Sequence, residues 1–191
     1  MLKQHVFLIY QMSRREVLGR YRGSMMGLLW SFASPLVMLA VYTFVFGTVF
    51  RVRWQTGDGD TASFALNLFA GVLLHSFLAE CLNRSPALIA ENTGYVKKVV
   101  FPLWIIPVVL VLAALFHLLV GLLVLLVAAG VVQQQVHAGV LLLHLLLLPF
   151  ALLALGLSWF IAALGVYLRD LAQVLPVVST MLLFLAPVLY P

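Results

Sequence analysis

Ionisable side chains within long apolar runs are the first places in this sequence where chemistry could sit. His75, His117 and His144 lie inside such runs, and Glu80 stands at the edge of one. Ionisable groups inside a bilayer are costly and often mark ion pathways or proton relays. At ~1.5 Å per helical residue, His75 and His117 lie about 17 Å and roughly 21 Å from the outer ends of their runs, whereas His144 lies within about 10 Å. That depth lets His75 and His117 meet near the midplane. No acidic chain extends the pair, however, and neutral histidines packed between helices account for the same residues. Asp58-Gly59-Asp60 resembles part of a cation loop but lacks the other oxygen ligands, so it reads as a solvated turn. Cys81 is the one cysteine, which excludes an internal disulfide and a multi-cysteine metal site. There is no G-x-x-x-x-G-K-[ST] phosphate loop, so the chain does not hydrolyse ATP by that route. Nor is there an H-E-x-x-H motif or a pair of carboxylates within the apolar runs. An enzyme acting on a lipid-linked sugar would have only Glu80, Glu91 and the adjacent Arg169-Asp170 to work with.

The elements that must position these groups are membrane spans. Hydrophobic residues make up 64% of the 191, charged residues 9%, and mean hydropathy is +1.15. A soluble domain carries about 25% charged residues. The net charge of +5 therefore reports membrane orientation and does not call for nucleic acid. Arg22 and Arg51 enclose 28 uncharged residues, Asp60 and Glu80 enclose 19, and Val99 to Leu168 runs 70 residues without Asp, Glu, Lys or Arg. A bilayer core of about 30 Å needs about 20 helical residues. The long run must therefore hold two spans, broken around Gln133, Gln134, Gln135, His137 and Gly139. The predicted fold is an all-α polytopic membrane protein. Residues 1–27 form an N-terminal segment, and the transmembrane domain, 28–191, has five spans near 28–50, 64–82, 103–130, 139–166 and 171–191. Nine basic residues fall on one side of this topology, from Lys3 to Arg22, at Arg84, Lys97 and Lys98, and at Arg169; Arg51 and Arg53 fall on the other. The positive-inside rule assigns the nine to the cytoplasm. The polar, basic start does not read as a cleaved signal.

Three segments outside the spans carry mechanism. Residues 5–22 fit a helix at the membrane surface. Val6, Phe7, Tyr10, Val17, Leu18 and Tyr21 share an arc of about 120° at helical periodicity, with Arg14 intruding. Arg15, Glu16, Arg20 and Arg22 take the other face. Such a helix is either a topogenic anchor at the anionic leaflet or a collar that also touches a partner. Gly19, Gly23, Gly27 and Ser31 recur every four residues. They read either as a flat face for close helix approach or, at Gly23, as a break before the first span. Pro35 should kink that span. In the loop 83–98, Ser85-Pro86 supplies an N-cap and first-turn proline for a short helix over Ala87–Asn92, with Gly94 to end it. The loop is either an ordinary connection or a lever between two spans.

Four blocks together resemble a known family: R-Y-R-G-S-M-M-G-L-L-W-S-F-A-S-P (Arg20–Pro35), V-Y-T-F-V-F-G-T-V-F (Val41–Phe50), N-R-S-P-A-L-I (Asn83–Ile89) with Y-V-K-K-V-V-F-P-L (Tyr95–Leu103), and Y-L-R-D-L (Tyr167–Leu171). The chain resembles ABC-type-2 permeases, nearest the subgroup that exports O-antigen, capsule or teichoic-acid polymers. The resemblance implies a homodimer in the bacterial inner membrane, paired with two copies of a separate ATPase that uses ATP and Mg, while this chain binds no cofactor. It implies ATPase coupling through Asn83, Arg84, Ser85, Pro86, Glu91, Lys97, Lys98, Arg169 and Asp170, and an interface helix carrying Arg14, Arg15, Arg20, Tyr21 and Arg22. It also implies a channel wall, with Trp30, Tyr42 and Phe46 as candidates, along which a lipid-linked polysaccharide passes. Family members have six spans, so the end at Pro191 after Pro187 leads us to expect a longer protein. Trp104 stands where relatives carry an acidic residue. The competing readings are an exporter of a drug, haem or small lipid, and the integral-membrane enzyme considered above.

Overall fold

A computed structural model describes residues 2–45, 61–98, 101–133 and 139–186. All regular structure among them is helical: α1 (Leu2–Tyr21), α2 (Trp30–Phe44), α3 (Thr61–Arg84), α4 (Leu88–Glu91), α5 (Thr93–Lys98), α6 (Ile105–Gln133), α7 (Gly139–Tyr167) and α8 (Leu171–Leu185). Short 3-10 turns, Gly27–Leu29 and Ser85–Ala87, lead into α2 and α4. Helices satisfy every backbone group internally, which is what an apolar sequence in lipid requires. Four stretches of the described residues are long and apolar enough to cross a bilayer: Gly27–Phe44, Ala65–Glu91, Ile105–Val131 and Leu146–Tyr167. The fifth predicted span appears as α8, whose 15 residues reach about 22 Å, less than a core of about 30 Å. Residues 187–191 of that run, like Phe46, Asp58 and Asp60, lie outside the described residues.

The core forms where α3, α6 and α7 meet. Phe77 and Cys81 from α3, Val111, Ala114, Leu118 and Leu122 from α6, and Leu147 and Ala154 from α7 are buried together. A second cluster joins Leu88 of α4 to Ile106, Leu110 and Ala162. α2 and α8 are peripheral, each burying a single residue, Ser31 and Ser179. Ser31 Oγ donates to the Leu28 carbonyl at 2.6 Å, and the one Ser179 hydroxyl proton is shared between the Pro176 carbonyl at 3.0 Å and Asn83 Oδ1 at 3.1 Å.

The structure decides between the two readings of the glycine repeat. Gly23 and Gly27 have φ of 90° and 51°, the left-handed region that glycine adopts without steric cost. The helix is broken between α1 and α2, and a side chain at Gly19, Gly23 or Gly27 would meet open space. The repeat is therefore a turn, with no continuous helix face to present. The loop also departs from its predicted form. Ser85 Oγ turns back to the Cys81 carbonyl at 2.5 Å instead of capping forward. The break falls at Asn92 (φ −102°, ψ 24°), whose amide donates to the Leu88 carbonyl at 2.8 Å, and Gly94 lies inside α5.

Candidate functional site

The region where α1 and α3 bring their charges together is the best-defined polar site among the described residues. α1 packs along α6 in the same direction: His5 stacks edge-on against Trp104 with ring centroids 5.8 Å apart, Met12 is buried with Ile105 and Val109, and Tyr21 stacks on His117 at 5.8 Å. Leu8 and Ile9 complete this contact. Most of the arc singled out by periodicity faces the other way: Val6, Phe7, Tyr10 and Leu18 are exposed, Val17 is half-buried, and Tyr21 alone of the arc packs on His117. α1 is thus apolar on two faces, one spent on α6 and one available to lipid or a partner.

Polar pairing fixes α1 against α3. Glu16 and Arg20 lie four residues apart on α1, and Glu80 and Arg84 lie four apart on α3. The two helices run antiparallel, so the charges cross-match: Arg20 pairs with Glu80, and Arg84 pairs with Glu16 and, at 3.5 Å, with Glu80. The four groups sum to zero. Arg20 is 37% exposed, Glu80 18%, and Arg84 and Glu16 35% each, so solvent screens the network and it fixes register more than it adds stability. Burial pushes the Tyr21 phenol above its ordinary pKa despite the neighbouring Arg20, with Glu80 adding to the rise, so it stays a neutral hydroxyl. Arg15 donates to the Tyr95 hydroxyl at 2.6 Å and lies 5.6 Å from the centre of its ring, linking α1 to α5 as well.

The loop that follows α3 is wedged into the bundle. Ser85 and Pro86 are buried, so they hold the turn in place and present no surface. Gly165 of α7 lies against the Pro86 backbone: a β-carbon there would come within 2.6 Å of Pro86 Cα and 2.8 Å of its carbonyl carbon, with the carbonyl oxygen closer still. Asn83 Oδ1 accepts from Ser179 Oγ at 3.1 Å, and the Ser179 carbonyl accepts from His75 Nε2 at 2.8 Å. One short segment is thereby tied to α1, α7 and α8.

The remaining predicted residues divide by exposure. Glu91, Arg169 and Asp170 are exposed, as are Arg14 and Arg22, and Arg169 and Asp170 form no ion pair with each other. Lys97 and Lys98 lie in α5. Trp30 is exposed, Tyr42 half-buried, and α2 shows Phe32, Val37, Val41 and Phe44 as well. Trp104 is exposed and its carbonyl accepts from Trp159 Nε1 at 3.0 Å. Residue-by-residue reading did not assign Glu16, Tyr95 and Gly165 to the site. The matched four-residue spacing of acid and base in α1 and α3 was the available signal for the first.

A family model described as ABC-2 type transporter matches residues 8–191. The chain belongs to the ABC-2 type transporter family. The match covers all four sequence blocks that carried the resemblance. Among curated relatives of this ABC-2 type transporter, an O-antigen export system permease protein (RfbA) of Myxococcus xanthus is 28% identical over 190 residues, covering 100% of this chain and 70% of the relative. A protein of the same name from Klebsiella pneumoniae is 26% identical over 184 residues, covering 96% of this chain and 68% of the relative.

Proposed function

We propose that this chain is the membrane-spanning permease subunit of an ABC exporter of polysaccharide. The observation that carries this is the end-to-end similarity to O-antigen export permeases. On this reading two copies work with two copies of a separate ATPase that consumes ATP and Mg, in the bacterial inner membrane, with the charged end in the cytoplasm. The cargo is a polysaccharide on a lipid carrier. Glu91, Lys97, Lys98, Arg169 and Asp170, together with Arg14 and Arg22, form the ATPase-facing surface.

The geometry supports a lever. A load applied to α4 and α5 reaches α7 through the Pro86–Gly165 backbone contact, α8 through Asn83–Ser179 and α1 through Arg84–Glu16 and Arg15–Tyr95. Packed helices shift as rigid bodies, so these links move whole spans together. The exposed Trp30 and the half-buried Tyr42 of α2, with Phe46 further along the chain, are candidates for a wall on which sugar rings slide. Aromatic faces stack the C–H faces of sugars without fixing one hydrogen-bond pattern, which suits a repeating polymer.

The test is affinity purification of the tagged protein from mild-detergent membranes, with mass spectrometry of what accompanies it. A stoichiometric ATPase carrying a phosphate loop is expected, and Lys97→Glu/Lys98→Glu should weaken its retention while the permease still inserts. Recovery of the permease alone across several detergents would contradict the assignment.

A further inference from the structure

A groove of about 660 Å³ lies between α1 and α5, within the size range of small-ligand sites, about 300–1,000 Å³. Leu8, Gln11, Arg15 and Leu18 recur every three or four residues and so line it from one face of α1. Arg14 and Arg22 flank them, and Tyr95 contributes from α5. No carboxylate is among the lining residues. The nearby acids are spent elsewhere, Glu16 on Arg84 and Glu80 on Arg20. Arg14 and Arg22 are exposed and make no ion pair among the described residues. Arg15 is held by the hydroxyl and ring of Tyr95. Three guanidiniums thus gather around a space that no acid of this chain fills.

The depth of the groove selects the anion. α1 lies alongside α6 from Trp104 to His117. That is the first half of Ile105–Val131, a stretch long and apolar enough to cross the bilayer. Guanidiniums are costly in hydrocarbon; they settle with their stems on apolar surface and their heads at lipid phosphates. Leu8 and Leu18 supply apolar wall beside the charges. An acidic patch of the ATPase would also suit Arg14 and Arg22, but the apolar wall and the depth favour a lipid. Gly19, also in the lining, keeps the space open. It lies inside α1 without the positive φ of Gly23 and Gly27, and a β-carbon there would meet nothing within 4 Å. Neither backbone conformation nor packing within the chain calls for glycine at that position.

We propose that this groove binds a phospholipid of net negative charge, its phosphate in the fork of Arg15 with Arg14 and Arg22 balancing the charge, and the start of one acyl chain against Leu8 and Leu18. The site is separate from the exported cargo and does not depend on the export assignment.

The test uses the purified full-length permease in phosphatidylcholine nanodiscs containing phosphatidylglycerol with a photoreactive group near the start of one acyl chain, followed by peptide mapping. Labels should concentrate on residues 8–22. Excess unlabelled phosphatidylglycerol should compete them away, and the same excess of phosphatidylcholine should not. Arg14→Gln/Arg22→Gln leaves the Arg15–Tyr95 contact in place. It should raise the probe fraction needed for half-labelling about thirtyfold, roughly fivefold for each cation. Gly19→Leu keeps every charge but fills the groove, and should lower labelling as well. Labelling lowered by the arginine changes and untouched by Gly19→Leu would overturn the proposal, because it would report diffuse attraction to the leaflet. Competition by inorganic phosphate as effective as that by the lipid would also overturn it. So would unchanged labelling in Arg14→Gln/Arg22→Gln with loss of ATPase retention, which would give the groove to the ATPase.

Discussion

Gly165→Ala tests whether the loop after α3 is wedged rigidly against α7. The added methyl would stand 2.6 Å and 2.8 Å from backbone carbons of Pro86. Restoring an ordinary carbon–carbon separation of about 3.5 Å means moving the turn and α7 apart by nearly 1 Å. Backbone cannot rotate out of the way as a side chain does, and Pro86 is itself buried between helices. Overpacking of this kind costs about 1–3 kcal/mol. Alanine in a helix is otherwise favoured over glycine by roughly 0.5–1 kcal/mol, so the net loss should lie between about 0 and 2.5 kcal/mol. Gly156→Ala on the same helix supplies the control. A β-carbon there meets nothing within 4 Å, so only the propensity gain remains and the protein should become slightly more stable. Thermal unfolding of both variants in one detergent, followed by tryptophan fluorescence, gives the comparison. Equal or higher stability for Gly165→Ala, matching Gly156→Ala, would refute the wedge and with it the route from the loop to α7.

Other expectations follow from the same contacts. In a double-mutant cycle on thermal stability, Arg20→Gln and Glu80→Gln should be non-additive by about 0.5–1 kcal/mol, the discounted value for a pair partly open to solvent; additive effects would show that the pair does not hold α1 to α3. Asn83→Ala should loosen α8, seen as faster hydrogen exchange over Leu171–Leu185 with unchanged exchange in α1; a uniform change would place the effect elsewhere. Replacing Glu80 and Glu91 together with Gln should leave residual export, because neither carboxylate is assigned chemistry. Complete loss of export with intact folding and ATPase retention would revive the enzyme reading.

The spans were legible in the sequence because charge is confined to their ends. The interval from Val99 to Leu168 predicted two helices, and the structure places α6 and α7 in it; Gln134, Gln135 and His137, where the break was expected, lie outside the described residues. Helix packing was less legible, because α1 carries apolar residues on two faces and periodicity alone selected the one that faces outward. Leu8, Ile9 and Met12 are too few to outweigh Val6, Phe7, Tyr10, Val17 and Leu18 on a helical wheel, and only contact with α6 singles them out. The loop was recognised as a short helix beside two spans and its proline does start a helical turn, but its serine bonds back to the Cys81 carbonyl instead of capping forward. Its burial beneath Gly165 is a tertiary fact, and nothing local distinguishes Gly165 from Gly156. Of the intramembrane histidines, His75 and His117 each lie within hydrogen-bond distance of a backbone carbonyl.

The central claim is that this permease carries polysaccharide out of the cell. Deleting its gene and locating the polymer is the direct measurement. The account predicts polysaccharide retained on its lipid carrier inside the cell and missing from the surface, with surface polymer restored by the intact gene. Normal surface polysaccharide in the deletion strain would contradict it.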